Sequence, residues 1–217
     1  STRRERTSSS ISGRHFGHYK AASSCTTLSE IHTSLAQTAI NNATYLTRWS
    51  KGISIMLEKE ENVIKVNKLR AILLMEADFN FLNNLFLGHR MIKQCERHSR
   101  LPVELFGSRG EMSADEVSVN RRLVIDGMKL MRHNGVIDGV DAAQCYDRIV
   151  HTMSILLCRN EGVPLPPLLV MYGVIQSMTY FLRTSFGDST TSYGGAQKIP
   201  FQGSCQGNGV SPAIWLI

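Results

Sequence analysis

The chain has 217 residues, carries a formal net charge of +6 at pH 7 and is 42% hydrophobic by residue count. This length suffices for one large domain or two small ones with a substantial core. No apolar run approaches the roughly 18 residues that a membrane helix needs, and no apolar stretch follows the polar N-terminus "STRRERTSSS" as a secretory signal requires. The composition therefore predicts a soluble folded protein without a membrane partner.

The positive charge is concentrated near the N-terminus. The first 20 residues contribute +4, which leaves +2 for the rest of the chain. A basic balance favours an anionic partner such as nucleic acid. A solvated basic tail on a near-neutral domain explains the same numbers, so charge alone does not decide between the two interpretations.

The five cysteines are scattered along the chain, and no two of them are spaced as C-x2-C. Their odd number and irregular spacing argue against a zinc site and against a disulfide framework. Free cysteines are typical of reducing compartments. We therefore expect an intracellular protein, in the nucleus or the cytoplasm.

Hydrophobic periodicity predicts a series of elements in the first half of the chain. Residues 1–30 are basic and rich in Ser and Thr, and we expect them to be irregular and flexible, with a helix after them. Two strands are predicted at residues 53–57 and 70–75, joined by a charged turn. A helix follows over residues 78–99, and residues 100–112 are predicted to be a loop.

A capping-box pattern at Ser113 and Glu116 opens the second half of the chain. It predicts a helix that ends near residue 134. "VIDGVD", residues 136–141, is predicted to be a short buried strand. The helix is expected to bury four apolar side chains: Val117, Val124, Met128 and Met131.

Two further helices are predicted over residues 147–160 and 166–178, the first with Ile149, Met153 and Leu157 facing inward. A hairpin is expected over residues 180–202, with "YFLRTSF" and "QKIPF" as its strands. A Gly-rich loop then leads into a helix with Pro212 near its first turn. Helices alternating with short strands indicate an α+β fold, with helices packed on a small antiparallel sheet.

The stretch "GVIDGVDAAQCYDRIVH", residues 135–151, places two acids and an aromatic residue close together. The predicted strand ends on Asp141, and Tyr146 and Asp147 follow. Ligands commonly bind outside the carboxyl ends of strands, and Mg²⁺ is often held by one or two carboxylates plus substrate phosphates. Asp141 is thus a candidate metal ligand, although a surface-facing Asp at a strand end explains this stretch taken alone.

The stretch "QGNGVSP", residues 206–212, has the features of a nucleotide platform. Gly207 and Gly209 allow close approach of the backbone to a ligand, and the amide of Gln206 can both donate and accept hydrogen bonds. A helix N-terminus at Ser211 and Pro212 favours nearby anions. A Gly-rich connection to a Pro-initiated helix explains the same residues without a ligand.

Taken in order, "VDAAQCYDRIVH" and, about 60 residues later, "QGNGVSP" resemble motifs of the reverse transcriptase family, in its non-LTR retroelement and group II intron branch. There the first palm motif reads Asp, four residues, Phe or Tyr, Asp, and the next reads Gln-Gly-x-x-x-Ser-Pro. "FGSRG", residues 106–110, resembles a segment just upstream of the palm. "KLRAILLMEADFN", residues 68–80, resembles a fingers segment in which an arginine precedes a short apolar strand. The resemblance covers about residues 53–217.

The resemblance implies an incomplete right-hand polymerase fold, with residues 31–134 as a fingers-like region and residues 135–217 as a partial palm. It implies that Asp141 is a catalytic residue and a ligand of Mg²⁺ or Mn²⁺. Tyr146 would be a steric gate that excludes the ribose 2′-hydroxyl. Asp147 would have a structural role.

By the same resemblance, several residues would bind the nucleotide or the nucleic acid. Phosphoryl transfer depends on metal ions, on positioning and on cations that contact the leaving phosphates, so such a set is chemically coherent. Gln206 and Gly207 would line the nucleotide and template pocket. Arg70 would contact the incoming triphosphate, with help from Lys59 or Lys65, and Arg109 is a possible contact to nucleic acid.

We therefore expect a fragment of an RNA-directed DNA polymerase of a retrotransposon-like element, with an RNA template, a DNA primer and deoxynucleoside triphosphates as partners. The family carries a further motif, an aromatic residue, any residue and Asp-Asp, after Gln-Gly-x-x-x-Ser-Pro. No such motif follows in these 217 residues, so the chain alone is expected to be inactive as a polymerase. Two alternatives stay open: a non-catalytic nucleic-acid-binding remnant of such an element, and a metal-dependent nuclease, which leaves "QGNGVSP" unexplained.

Overall fold

A computed structural model describes residues 10–61, 63, 65, 68–110, 112–142, 145–195 and 202–217. These residues form an α+β fold in which helices pack against a four-stranded mixed sheet. In chain order the elements are α1 (Phe16–Ala22), α2 (Thr26–Asn41), β1 (Lys51–Glu58), β2 (Leu69–Leu74), α3 (Ala77–Asn83), α4 (Met91–Arg97), α5 (Ala114–Leu130), α6 (His151–Asn160), α7 (Leu165–Ser177), β3 (Thr179–Thr184), β4 (Gly187–Gly194) and α8 (Ser211–Leu216).

The sheet has the strand order β2-β1-β3-β4. β1 and β2 form the predicted antiparallel hairpin, with Ile53 opposite Leu74, but β3 lies parallel to β1, with Ile53 also opposite Phe181. The prediction of an antiparallel sheet is therefore wrong for the central pair. Parallel neighbours need a long crossover connection, and the helices between β2 and β3 provide it.

The second hairpin is tighter than the sequence pattern predicts. β4 begins at Gly187, directly after a short turn, and Arg183 on β3 lies opposite Asp188. The stretch between the two predicted strands is thus itself the second strand, and its Thr and Tyr residues suit a strand. The predicted strand "QKIPF", residues 197–201, lies outside the described residues.

The helix predicted over residues 78–99 is confirmed as one helical run of three parts. α3 passes into a π-helical stretch, Asn84–Arg90, which continues into α4. Its apolar side joins the main core, in which Trp49 and Phe79 pack with ring centroids 5.4 Å apart. α7, which is almost continuously apolar, supplies the largest buried share of this core: Leu168, Val170, Met171, Tyr172, Val174 and Ile175.

The N-terminal segment is more ordered than predicted. The expectation of irregular structure over residues 1–30 is wrong for α1 and for the start of α2, and residues 1–9 lie outside the described part. Ser10 and Ser12 both donate hydrogen bonds to the buried Glu76 carboxylate, which also pairs with Arg48 at 2.8 Å. A buried carboxylate needs such partners, and they fix this segment to the fold.

The helix α5 begins with the predicted capping box: Glu116 N–H donates to Ser113 Oγ at 3.3 Å, and Ser113 N–H donates to Glu116 Oε2 at 2.9 Å. Its predicted inward face is nevertheless exposed, with Val124 and Met131 57% and 71% accessible. Periodicity predicts which face is apolar, but burial requires an opposing element. No described element covers this face.

The predicted strand "VIDGVD" is also wrong. Residues 133–142 have no regular structure, and Val136 and Val140 are 94% and 92% exposed. The apolar run is too short to identify a strand unless a neighbouring strand pairs with it. Asp141 therefore follows an exposed irregular segment rather than a buried strand.

The helix predicted over residues 147–160 begins later in the chain, at His151, and buries a different face from the predicted one. A 3₁₀ turn, Cys145–Arg148, precedes α6. α6 buries His151, Ser154 and Cys158, whereas Met153 and Leu157 are exposed. The buried face is the more polar one because His151 and Ser154 form hydrogen bonds there.

Four other features bear on the predictions from the sequence. The helix predicted over residues 166–178 is α7, and the Gly-rich loop leads into α8 as predicted, with Pro212 in its first turn. All five cysteines are free thiols. None of the helices in the described part of the chain combines the length and the apolarity needed to cross a bilayer.

Candidate nucleotide-binding site

The first motif stretch lies beside the residues that immediately precede the second. The Ser204 N–H donates to the Tyr146 carbonyl at 2.8 Å, and the Gly203 N–H donates to the Ile149 carbonyl at 2.8 Å. Val150 and Gln202 add an antiparallel bridge. Backbone pairing therefore joins residues 146–150, which follow Asp141, to residues 202–204, which precede the Gly-rich motif.

The glycine loop, residues 206–210, crosses the free edge of β2. The Leu73 N–H donates to the Gln206 carbonyl at 2.7 Å. Gly207 has φ +118°, and a Cβ on it would lie 2.2 Å from the Leu73 carbonyl oxygen. Only glycine fits this position. The sequence suggested that Gly207 allows a ligand to approach the backbone, but its contact with β2 is enough to explain the glycine.

The other side of the glycine loop contacts α3 and the π-helical stretch through the asparagine clamp, which consists of Asn80, Asn83 and Asn84. Asn80 forms hydrogen bonds with both Gly207 and Gly209. Asn84 donates to the Gly209 carbonyl at 3.2 Å, and Asn83 donates to the Asn208 side-chain oxygen at 3.4 Å. This clamp was not predicted from the sequence. Three asparagines at helical spacing could have indicated it, because asparagine is a poor helix former.

Ser211 closes the glycine loop at the start of α8. Its hydroxyl donates to the carbonyl oxygens of Ser204 and Cys205, each at 3.0 Å. The serine of "QGNGVSP" is completely buried at 1% exposure. Its side chain therefore serves the loop, and it is not directed at an external anion.

A buried polar network supports the pairing of the two motif stretches. The neutral His151 ring donates from Nε2 to the Gly203 carbonyl at 2.8 Å and accepts from Gln176 at Nδ1, 3.1 Å away. Burial lowers the pKa of His151, against the opposing effect of the Gly203 carbonyl. Tyr172 packs its ring against the imidazole and donates to Ser154.

Tyr146 and Asp147 lie at the junction of these segments. Tyr146 is half-buried, and burial raises the pKa of its phenol, so the side chain stays neutral. Asp147 is exposed overall, yet partial desolvation raises the pKa of its carboxyl group, while the charge of Lys59 acts in the opposite direction. Lys59, from the turn after β1, is thus within electrostatic range of the second acid of the motif.

The other predicted site residues, Arg70 and Asp141, both lie at the surface. Arg70 is exposed on β2, opposite Leu57 on β1, three residues before the attachment point of the glycine loop. Asp141 is exposed. No hydrogen bond or ion pair within the described residues joins Asp141 to Tyr146 or to Gln206. The structure places Tyr146 beside Ser204, which is close in sequence to Gln206 and Gly207, but it does not fix Asp141 there.

Arg109 has an internal set of partners. Its guanidinium donates to the carbonyl oxygens of Pro102 and Leu105 at 2.9 and 3.0 Å and to Glu96 at 3.4 Å. These bonds hold the loop that follows α4. Its role as a nucleic-acid contact stays a prediction, and the geometry gives this side chain a structural use.

Few of the described side chains could together bind a metal ion. Among the described residues, no three His, Cys, Asp or Glu side chains are grouped to hold a metal. Asp141 is a single exposed carboxylate, which fits an ion only if other ligands, such as nucleotide phosphates, complete the shell.

No protein-family model matches the chain, and no curated protein matches it.

Proposed function

We propose that this chain is part of an RNA-directed DNA polymerase of the reverse transcriptase type, from a retrotransposon-like element. The observation that carries the proposal is the backbone pairing of residues 146–150, in the first motif stretch, with residues 202–204, which lie just before the second. This pairing includes the bond from the Ser204 N–H to the Tyr146 carbonyl. The motif resemblance requires these stretches to line one pocket. The contact of Tyr146 with Ser204, 58 residues later in the sequence, brings the start of the second stretch close to the first, in keeping with this requirement.

The position of β2 gives further support. The glycine loop is bonded to β2 at Leu73, and Arg70 on the same strand is exposed. In the proposed site, Arg70 binds the triphosphate, Gln206 and Gly207 contact the nucleotide, and the Tyr146 ring excludes the 2′-hydroxyl. Asp141 would bind Mg²⁺ or Mn²⁺ together with the phosphates, and a metal held there would draw charge from the leaving phosphates.

Titration of the purified chain with a fluorescent deoxynucleoside triphosphate, in the presence of Mg²⁺ or Mn²⁺, tests the proposal. Arg70→Ala is expected to weaken binding about tenfold, because a charge-assisted hydrogen bond to phosphate is lost. Arg121→Ala on the exposed face of α5 is the matched control and should bind as the native chain does. Equal affinities of the Arg70 variant and the native chain would refute the triphosphate assignment.

Two substitutions test the other roles in the same assay. Asp141→Asn should reduce the dependence of nucleotide affinity on the divalent ion, whereas Asp138→Asn, exposed in the same segment, should not. Tyr146→Ala should lessen the preference for deoxyribonucleotides over ribonucleotides. Tyr146→Phe should keep that preference, because the ring and not the hydroxyl blocks the sugar.

A non-catalytic nucleic-acid-binding role, in the nucleus or the cytoplasm, is the second candidate, and the net charge of +6 favours it. RNA affinity would then fall steeply with salt concentration, and no nucleotide would bind. Removing residues 1–9 tests whether the tail carries this binding, because it deletes Arg3, Arg4 and Arg6 but leaves Ser10 and Ser12 bonded to Glu76.

A further inference from the structure

Asn80 contacts the glycine loop as a neighbouring strand would. Its Nδ2 donates to the Gly207 carbonyl at 3.0 Å, and its Oδ1 accepts from the Gly209 N–H at 2.6 Å. One side-chain amide thus pairs with backbone groups on both sides of Asn208. Both functional atoms of Asn80 are used, so the contact depends on the amide and not only on its size.

The glycine loop is held from two directions. Leu73 bonds to Gln206 on one side, while Asn80 and Asn84 bond to the residues that follow on the other. There is no space for a side chain at Gly209, where a Cβ would lie 2.8 Å from Asn84 Nδ2 and 2.9 Å from Asn80 Oδ1. The backbone conformation of residues 206–209 is therefore set without any ligand.

Helix stability does not explain the asparagine clamp. Asparagine is among the poorer helix formers, and three of them occur within five consecutive helical positions. Asn83 is buried at 5% exposure, and Asn80 and Asn84 are partly buried, so they do not form a solvated face. Their contacts with the glycine loop are what these side chains provide.

We propose that Asn80, assisted by Asn84, is a positioning residue for nucleotide binding, because it fixes the backbone of residues 207–209 in the ligand-free chain. Gln206 makes no side-chain hydrogen bond with any described residue, so its amide is available to a ligand at the end of the fixed loop. A preformed loop does not have to be ordered when the ligand binds, which increases affinity. The ligand, a deoxynucleoside triphosphate, rests on the proposed function, whereas the fixed loop does not.

The variant Asn80→Asp tests this role because its effect depends on pH. At pH 7.5 the carboxylate still accepts from Gly209 but cannot donate to the Gly207 carbonyl. Hydrogen exchange of residues 203–212, corrected for intrinsic rates, should accelerate about tenfold, and nucleotide affinity should fall about fivefold. When the pH falls toward 4, near the ordinary carboxyl pKa, the protonated acid can donate again, and exchange should return toward the native rate.

Asn120→Asp, at an exposed position of α5, is the matched control and should change neither measurement. Asn84→Asp, which loses only the bond to the Gly209 carbonyl, replaces the first variant if circular dichroism shows that Asn80→Asp is unfolded. A native exchange rate in the variant, or an acceleration that persists at low pH, would overturn the inference.

The nucleotide measurement separates the two proposals. Faster loop exchange with unchanged nucleotide affinity refutes the positioning role and leaves the proposed function intact. A native chain that binds no deoxynucleoside triphosphate refutes the proposed function and with it the positioning role, while the exchange data still establish whether Asn80 holds the loop.

Discussion

The glycine loop, residues 206–210, and the Asp141 segment, residues 131–142, carry the two most specific motifs of the chain, and their surroundings are opposite. The glycine loop is bonded to β2 and α3, and Val210 within it is completely buried. The Asp141 segment has no regular structure, and Val136 and Val140 are more than nine-tenths exposed. The described residues therefore fix one half of the proposed site and leave the other half facing solvent.

This difference shows that the specificity of a motif in sequence does not measure how firmly the fold holds it. Apolar burial is worth roughly 25 cal/mol per Å², and the glycine loop receives it from several neighbouring elements. In the Asp141 segment, Val136 and Val140 are exposed and so contribute no burial energy. Substitutions in the glycine loop should therefore change stability, whereas the same substitutions in α5 or the Asp141 segment should not.

The largest contrast is expected between two glycines. In Gly207→Ala the new Cβ would lie 2.2 Å from the Leu73 carbonyl oxygen at φ +118°, so strain and overpacking should lower the free energy of unfolding by about 3 kcal/mol. Gly127→Ala, inside α5 with no atom within 4 Å, should be neutral or slightly stabilising. Urea unfolding followed by circular dichroism measures both. Equal stabilities would show that the glycine loop moves away from β2 without cost.

The next contrast concerns two valines. Val210→Ala removes two buried methyl groups and should cost about 2 kcal/mol through lost burial and a small cavity. Val140→Ala should change the free energy of unfolding by less than about 0.5 kcal/mol. Thermal unfolding monitored by circular dichroism compares them. A large cost at Val140 would mean that the Asp141 segment packs against something in solution.

A pH effect on stability is expected at the buried His151. Burial lowers the pKa of folded His151 below its ordinary value of about 6.5. The unfolded chain then binds more protons, so this contribution to stability is present above about pH 6.5 and is lost as the pH falls through the folded pKa. The loss should be smaller than the effect of Val210→Ala.

Urea midpoints at pH 7.5 and 5.5 measure this pH effect. His151→Gln, which can still donate to the Gly203 carbonyl, should reduce the decrease in stability between the two pH values. His133→Gln should leave the decrease unchanged, since His133 is exposed. If both variants behave alike, the burial of His151 does not determine the acid sensitivity of the fold.

The smallest global effect is expected at the start of α5. Ser113→Ala removes the hydroxyl that accepts from the Glu116 N–H, which should cost about 1 kcal/mol of local helix stability. Because α5 buries little, the global free energy of unfolding, measured with urea, should stay within about 0.5 kcal/mol of the native value while amide exchange in α5 accelerates. A global loss as large as the local one would show that α5 unfolds together with the core.

Some parts of the fold were predictable because they depend on local sequence. The capping box at Ser113 and Glu116, the helix α7 and the hairpin β1–β2 are confirmed, since caps, apolar periodicity and turn composition act over a few residues. The predicted inward face of α5 and the strand "VIDGVD" are wrong because both need a partner element. The parallel pairing of β3 with β1 also could not be predicted from the sequence, because a strand's direction and register depend on a partner that is distant in the chain.

The candidate site divides in the same way. Asp141, Tyr146, Gln206 and Gly207 were selected because the stretches that hold them resemble reverse transcriptase motifs, and their roles stay proposals. The asparagine clamp was not selected, because a helix with Asn80, Asn83 and Asn84 reveals its use only when the glycine loop lies against it. Arg109 was predicted to be a possible nucleic-acid contact, and only the structure shows that its guanidinium contacts Glu96 and carbonyl groups of its own loop.

By itself, the sequence determined some local elements, such as α7, the start of α5 and the β1–β2 hairpin, and the order of the motifs, because these follow from spacing, caps and composition within short windows. Only the tertiary structure decided that residues 146–150 pair with residues 202–204, and that the glycine loop lies between β2 and α3. Such contacts join residues far apart in the chain. They form where the loss of chain entropy is offset by burial and by hydrogen bonds, a balance that the complete fold sets and no short stretch contains.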